Sequence, residues 1–156
     1  MAVCSVYTLH RGFKLAKERE VLENCACHRV RIAARAVTRT YDDALRPVGL
    51  RATQLSVLVA AAADDAISIT SLAKNIGMDR STLTRNLRPL ESEGLIVVGL
   101  EGWRRSRGLQ ITKKGRSRLQ EALPLWKKAQ QRLLRKLGDR RWERIRSDLD
   151  HLIRAV

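Results

Sequence analysis

The sequence predicts a mostly α-helical fold with one short β-hairpin, carried between long amphipathic helices. Three observations predict it. Aromatic residues make up only 4% and prolines number three, whereas strands favour aromatic and β-branched residues. Apolar residues recur at steps of three and four along most of the chain. The two runs that read as paired strands, Leu95-Ile-Val-Val98 and Gly108-Leu-Gln-Ile-Thr112, are short and close together.

The elements follow in order. Residues 1–20 have weak periodicity and read as an N-terminal extension or arm. From Asn24 to Arg46 the apolar positions Val30, Ala33, Ala34, Val37, Tyr41, Ala44 and Leu45 line one face of a long helix. Pro47 and Gly49 end it. A second helix carries Leu55, Leu58, Val59 and Ala62, and Ile67-Ser-Ile69 is a strand candidate. Thr70 can cap a short helix with Leu72, Ala73 and Ile76 inward, and Gly77 supplies the positive φ of a tight helix end. Asp79 caps the next helix, with Leu83, Leu87 and Leu90 inward and Gly94 at its end. Pro89 lies inside that helix and should kink or loosen its second half. After the hairpin, Thr112 caps a long helix with Leu119, Leu123, Trp126, Leu133 and Leu137 inward. Gly138 breaks it, and a last helix carries Trp142, Ile145, Leu149, Leu152 and Ile153.

Two short helices joined by a glycine turn, with a small residue at the crossing, form a helix-turn-helix. The hairpin after it is a wing. The predicted fold is therefore a winged helix-turn-helix with long N- and C-terminal dimerisation helices. The divisions are an arm (1–20), an N-terminal dimerisation helix (21–50), the DNA-binding domain (51–112) and C-terminal dimerisation helices (113–156). The flanking helices carry more apolar stripe than a compact winged helix covers alone, so a homodimer is expected.

Charge points the same way. The chain has 156 residues, 31 Lys+Arg against 16 Asp+Glu, and a net charge of +15, which implies a polyanionic partner. The excess is concentrated: residues 103–118 hold seven basic residues and no acid, while residues 139–156 hold five basic and four acidic. Arg80, Ser81, Thr82, Thr84, Arg85 and Arg88 are the outward positions of the second helix of the pair, whose first turn enters the major groove of double-stranded DNA. Short hydroxyls allow close approach, Arg85 can fork onto a guanine edge, and the helix N-terminus favours phosphate. Arg104, Arg105 and Arg107 on the wing suit the minor groove or backbone. A solvated charged face is the ordinary meaning of such a run; the adjacent helix-turn-helix reverses it. An architectural protein that binds DNA by charge alone is the rival, separated by the specificity ratio over random DNA.

Other classes lose support. No Gly-rich phosphate loop, His-Glu-x-x-His or nucleophile elbow occurs, so neither an enzyme nor a cofactor is indicated. No apolar run approaches the roughly 18 residues of a membrane span, and the first residues do not read as a signal peptide. Three cysteines are too few for a disulfide scaffold, and a reducing cytoplasm is expected.

The segments Met78-Asp-Arg-Ser-Thr-Leu-Thr-Arg-Asn-Leu-Arg-Pro-Leu-Glu91, Glu93-Gly-Leu-Ile and Leu109-Gln-Ile-Thr-Lys-Lys-Gly115 resemble the multiple-antibiotic-resistance regulator (MarR) family. The resemblance runs from about Leu22 to the C-terminus. It implies a homodimeric transcriptional regulator, usually a repressor, on a pseudo-palindromic operator, released by a small ligand or by oxidation. The wing departs from the family's Asp-x-Arg-Asp-x-Arg pattern and reads Leu100-Glu-Gly-Trp-Arg-Arg-Ser-Arg107, where Glu101 with Arg104 or Arg105 can keep the acid–arginine pair beside Trp103.

Cys4, Cys25 and Cys27 are the chemically distinctive residues. Cys25-Ala-Cys27 stands at the start of the first long helix, where N–H groups, the dipole and His28, Arg29 and Arg31 favour thiolate. Three readings stay open: small residues at a dimer interface, redox sensors, or ligands of a thiophilic metal together with His28. A helical i,i+2 spacing points the sulfurs apart, which opposes one shared metal ion. The segment Leu22-Glu-Asn-Cys-Ala-Cys27 is similar to the organic-hydroperoxide-sensing branch of the family. That resemblance implies a reactive Cys27 and a sulfenate-stabilising Tyr41; Arg31 stands where the branch has a second tyrosine. A small-molecule switch is the alternative, with Arg35, Thr38, Tyr41 and Leu55 lining a pocket for a carboxylate such as an aromatic acid.

Overall fold

A computed structural model describes residues 16–64, 67–99 and 108–155. The described residues divide into two compact units between Arg39 and Thr40.

The first unit contains helix α1 (Ala16–Asn24) and the opening turns of α2 (Ala26–Leu45). The single helix expected from Asn24 is two, separated at Cys25. The break is local: the Cys25 amide donates to Val21 O at 3.0 Å and its carbonyl accepts from Arg29 N at 3.0 Å. Arg29 Nε donates to Glu23 O at 2.8 Å, a side-chain cap on the end of α1. Residues 29–40 of α2 are all exposed, including Val30, Ile32 and Val37 at about 40%.

The second unit holds the core. A 3₁₀ turn (Arg46–Val48) with Gly49 at φ +69° follows α2. Asp42 Oδ1 then accepts the Ala52 amide at 2.7 Å and Gln54 Oε1 accepts the Arg51 amide at 2.8 Å, so both side chains cap α3 (Ala52–Ala63). Leu55, Val57, Leu58 and Ala61 are buried. The apolar face of α3 therefore runs through Val57 and Ala61, while Val59, placed on it by the sequence reading, is exposed.

Strand β1 (Ile67–Ser68) leads into α4 (Ile69–Asn75), and α5 (Arg80–Ser92) crosses it. Strands β2 (Ile96–Val98) and β3 (Gly108–Ile111) complete an antiparallel sheet in the order β1-β3-β2. Ile67 pairs with Leu109, and Ile96 with Ile111. The Gly99 amide donates to Gly108 O at 2.9 Å and closes the stem of the hairpin.

Two long helices follow, α6 (Lys113–Leu137) and α7 (Asp139–Ala155). Thr112 caps α6 by accepting the Gly115 amide at 2.9 Å, while its hydroxyl donates to Gly94 O at 2.8 Å. The inward face expected for α6 needs correction. Leu119, Ala122 and Ala129 are buried, but Leu123 and Trp126 are 41% and 39% exposed. The α7 seam is open too, with Leu149, Leu152 and Ile153 exposed. Periodicity identifies an apolar face without saying which molecule covers it.

α5 is continuous through Pro89, the residue expected to kink or loosen its second half. The Glu93 amide donates to Pro89 O at 3.0 Å. Pro89 is exposed while Leu87 and Leu90 beside it are buried. The bond that Pro89 cannot make, to the Arg85 carbonyl, falls on the exposed side, where a carbonyl is open to solvent, and core packing holds the turn.

Candidate nucleic-acid interface and cysteine site

The helix-turn-helix is built by local capping. Ser68, not Thr70, caps α4, accepting the Ser71 amide at 3.0 Å. The helix begins two residues earlier than a Thr70 cap implies, because Ile69 turns inward to the core. At its end Gly77 adopts φ +65° and the Met78 amide donates to Ala73 O at 2.9 Å. A side chain at residue 77 would be strained, since L-residues avoid this region.

Asp79 caps α5. Its Oδ1 accepts from Ser81 Oγ at 2.6 Å and from the Thr82 amide at 2.7 Å. These bonds, that from Ser81 first, hold the carboxyl far below the usual carboxylate range. An anion therefore already sits at the α5 N-terminus, where phosphate was expected. Because the folded-state pKa is lowered, the unfolded chain binds the extra proton. The cap's contribution is complete above the ordinary aspartate range, near pH 3.9, and is lost as pH falls below it. Urea denaturation between about pH 6 and about pH 2 should show a smaller acid-induced loss for Asp79→Asn than for the wild type.

Behind the cap, Leu83, Leu87 and Leu90 are buried and fix the rotation of α5. Arg80, Ser81, Arg85 and Arg88 are exposed, and Thr82 and Thr84 half-buried. Arg85 Nη2 donates to Thr82 Oγ1 at 3.4 Å, and Thr84 Oγ1 donates to Arg80 O at 2.8 Å. The six predicted positions thus lie on the side of α5 away from the leucines, with the hydroxyls engaged locally. Arg104, Arg105 and Arg107, with Glu101 and Trp103, lie outside the described residues; the β2–β3 stem that carries them is formed.

Cys25 is half-buried, Cys27 is exposed, and both are free thiols. Cys4 lies outside the described residues. Arg31 Nη2 donates to Cys27 Sγ at 3.4 Å, a contact the sequence reading did not draw although i,i+4 spacing permits it. Among the described residues no three His, Cys, Asp or Glu side chains converge as a metal would require.

Tyr41 is half-buried, and its hydroxyl donates to Gln130 Oε1. Burial pushes the phenol upward, so it remains a donor. Arg35 and Thr38 share an open depression of about 490 Å³ with Arg31, Ala34 and Arg39. Leu55 is not part of it; it is 6% exposed within the core of the second unit, because α3 turns it inward. No described helix is long and apolar enough to cross a membrane.

The family model of the MarR family matches residues 50–98. The Mycobacterium tuberculosis transcriptional regulator MosR is 39% identical, with 86% of this chain and 96% of that chain covered at a TM-score of 0.74. The same regulator in complex with DNA gives 40% identity, 84% and 95% coverage and a TM-score of 0.75. CouR from Rhodococcus jostii RHA1 bound to p-coumaroyl-CoA gives 25% identity, 84% and 93% coverage and a TM-score of 0.70. No curated protein sequence matches. These relatives are regulators and not enzymes. With a winged helix-turn-helix and a regulator 39% identical over nearly its whole length, the chain belongs to the MarR family of transcriptional regulators.

Proposed function

We propose that the protein is a homodimeric, sequence-specific repressor that binds a pseudo-palindromic operator and is released by oxidation of Cys27. The observation that carries DNA binding is the outward row on α5, Arg80 to Arg88, held in fixed rotation by three buried leucines. MosR in complex with DNA, 40% identical, supports the same use of the fold. Pairing two chains buries Val30, Val37, Leu123, Trp126 and Ile153, which are otherwise exposed. It sets two copies of α5 against one duplex. The test is selection of a binding site from random DNA followed by affinity measurement. A repressor prefers its site by roughly 10³-fold or more; a flat preference would leave the architectural reading. Arg85→Ala should weaken binding to the selected site by about 1–3 kcal/mol and relax one base position, read by titration against single-base variants of the site.

The redox switch rests on Cys27 being exposed, beside a guanidinium, and two residues from a second thiol. The Cys27 thiolate attacks the terminal hydroperoxide oxygen, the O–O bond breaks, and an alkoxide leaves and takes a proton from water, giving sulfenic acid and an alcohol. The Cys25 thiol then attacks that sulfur, and water leaves as the disulfide forms. Cys27 lies in the first turn of α2 and Cys25 just before it, and helical side chains two apart diverge. Closing the disulfide therefore unwinds that turn and disturbs the apolar stripe of α2. Fourteen helical residues rise about 21 Å, so a Tyr41 that stabilises the sulfenate does so for the partner chain. Hydroperoxide should release operator DNA from the wild type and leave the Cys27→Ser complex intact. Equal release from both would sink the redox arm.

The depression around Arg35 and Thr38 supports a second reading, an effector carrying a carboxylate. CouR, which binds p-coumaroyl-CoA, is a precedent in the fold. Aromatic acids that raise the melting temperature of the wild type but not of Arg35→Gln would establish it.

A further inference from the structure

We propose that Arg31, with Arg35 and Arg39, makes Cys27 selective for oxidants that carry a negative charge. The inference rests on the reading that Cys27 is the reacting thiol.

Cys27, Arg31, Arg35 and Arg39 follow one another at steps of four, so they form one line along α2 beside the apolar stripe. Arg31 reaches back to the sulfur, with Nη2 at 3.4 Å from Sγ. Arg39 Nε reaches the Arg35 carbonyl at 3.4 Å. Among the described residues none of the three arginines has a carboxylate within ion-pair distance. Arg19, by contrast, lies 3.9 Å from the Glu23 carboxylate. Like charges at i,i+4 repel and cost helix stability, so the line is a concentrated, uncompensated positive field. All three arginines border the open depression, whose other walls are Ala34 and Thr38. Arg31, whose guanidinium touches the sulfur, is one wall of that depression, so an anion drawn into it is brought towards Cys27.

The electrostatic consequence follows from the charge of the attacking group. A thiolate repels an anionic oxidant, so an isolated thiolate reacts faster with neutral peroxides. A guanidinium on the sulfur and two more along the approach reverse that repulsion and raise the local concentration of anions. With a peroxysulfate anion the thiolate lone pair attacks the terminal peroxide oxygen. The S–O bond forms, the O–O bond breaks, and its electron pair leaves on sulfate. Sulfur loses two electrons, the peroxide gains them, and the peroxide proton stays on the sulfenic acid. Negative charge develops on the leaving group, beside the sulfur that Arg31 touches.

The test uses the full chain carrying Cys4→Ser and Cys25→Ser, so that Cys27 is the one thiol. Second-order rates are measured with an anionic and a neutral peroxide, peroxymonosulfate and tert-butyl hydroperoxide. They are repeated with an anionic and a neutral alkylating reagent, iodoacetate and iodoacetamide. Any effect on thiolate content is common to both members of a pair and cancels in the anion-to-neutral ratio. That ratio should fall about tenfold in Arg31→Gln, fall in Arg35→Gln with the neutral rates unchanged, and recover in Arg31→Lys. It should also fall as salt rises in the parent and change little with salt in Arg31→Gln. Ratios equal to the parent in both glutamine variants would overturn the proposal. Failure of the redox reading is seen separately, as operator release that survives Cys27→Ser.

Discussion

Gly115→Ala should lower the unfolding free energy by about 3 kcal/mol or more, at the upper end of overpacking effects. A Cβ on residue 115 would lie 2.0 Å from the Leu95 carbonyl oxygen and 2.8 Å from Ile111 Cγ1. The first obstacle is backbone, and it has no room to retreat. The same carbonyl accepts the Thr112 amide at 3.1 Å and the Thr112 hydroxyl at 3.2 Å. Leu95 itself is fully buried. Relief therefore means lifting α6 off β2 or giving up the cap of α6. Urea denaturation of the variant beside the wild type reads the loss directly. A midpoint within experimental error of the wild type would show that α6 can shift by more than an ångström without cost.

Leu83→Ala should cost about 2–5 kcal/mol. Leu83 is 0% exposed in the centre of α5, in one cluster with Leu72, Leu87, Leu90 and Leu109. Truncation removes buried methyl groups and leaves a void bounded by α4, α5 and the sheet. The loss reaches function because the rotation of α5 is set by this face. Operator affinity should fall in parallel with stability and recover on cooling, whereas the Arg85→Ala loss persists at every temperature. Circular dichroism and DNA titration over one temperature series separate the two. A stable Leu83→Ala protein without DNA affinity would mean that the leucine acts in recognition and not in packing.

These residues also show what could be read from sequence. Asp79 and Gly77 act on near neighbours, as does Thr112 in capping the Gly115 amide, so residue type and spacing sufficed for these roles. Ser68 and Thr70 are both competent caps, and only the inward turn of Ile69 decides between them. Leu123 and Trp126 carry the helical period faithfully, yet a period cannot tell the chain's own core from an apolar face left exposed. Gly115 stood inside a recognised motif, but its requirement comes from a carbonyl twenty positions earlier. The Tyr41–Gln130 bond spans 89 positions and has no local trace. The contact of Arg31 with Cys27 is within reach of helical i,i+4 spacing, but spacing alone does not say which way an exposed arginine turns.

The cap of α6 has a mechanical consequence. Thr112 binds the carbonyls of Gly94 and Leu95, and Lys114 Nζ binds Glu93 O at 2.7 Å. Three successive carbonyls just beyond the end of α5 are thus riveted to the first turn of α6. The two helices share a hinge pin and turn as one lever. Because α6 is 25 residues long, about 37 Å, its far end is the long arm. A tilt of only about 5° moves that end by roughly 3 Å. These bonds pass such a tilt to the chain at the end of α5, the helix that carries Arg80, Arg85 and Arg88.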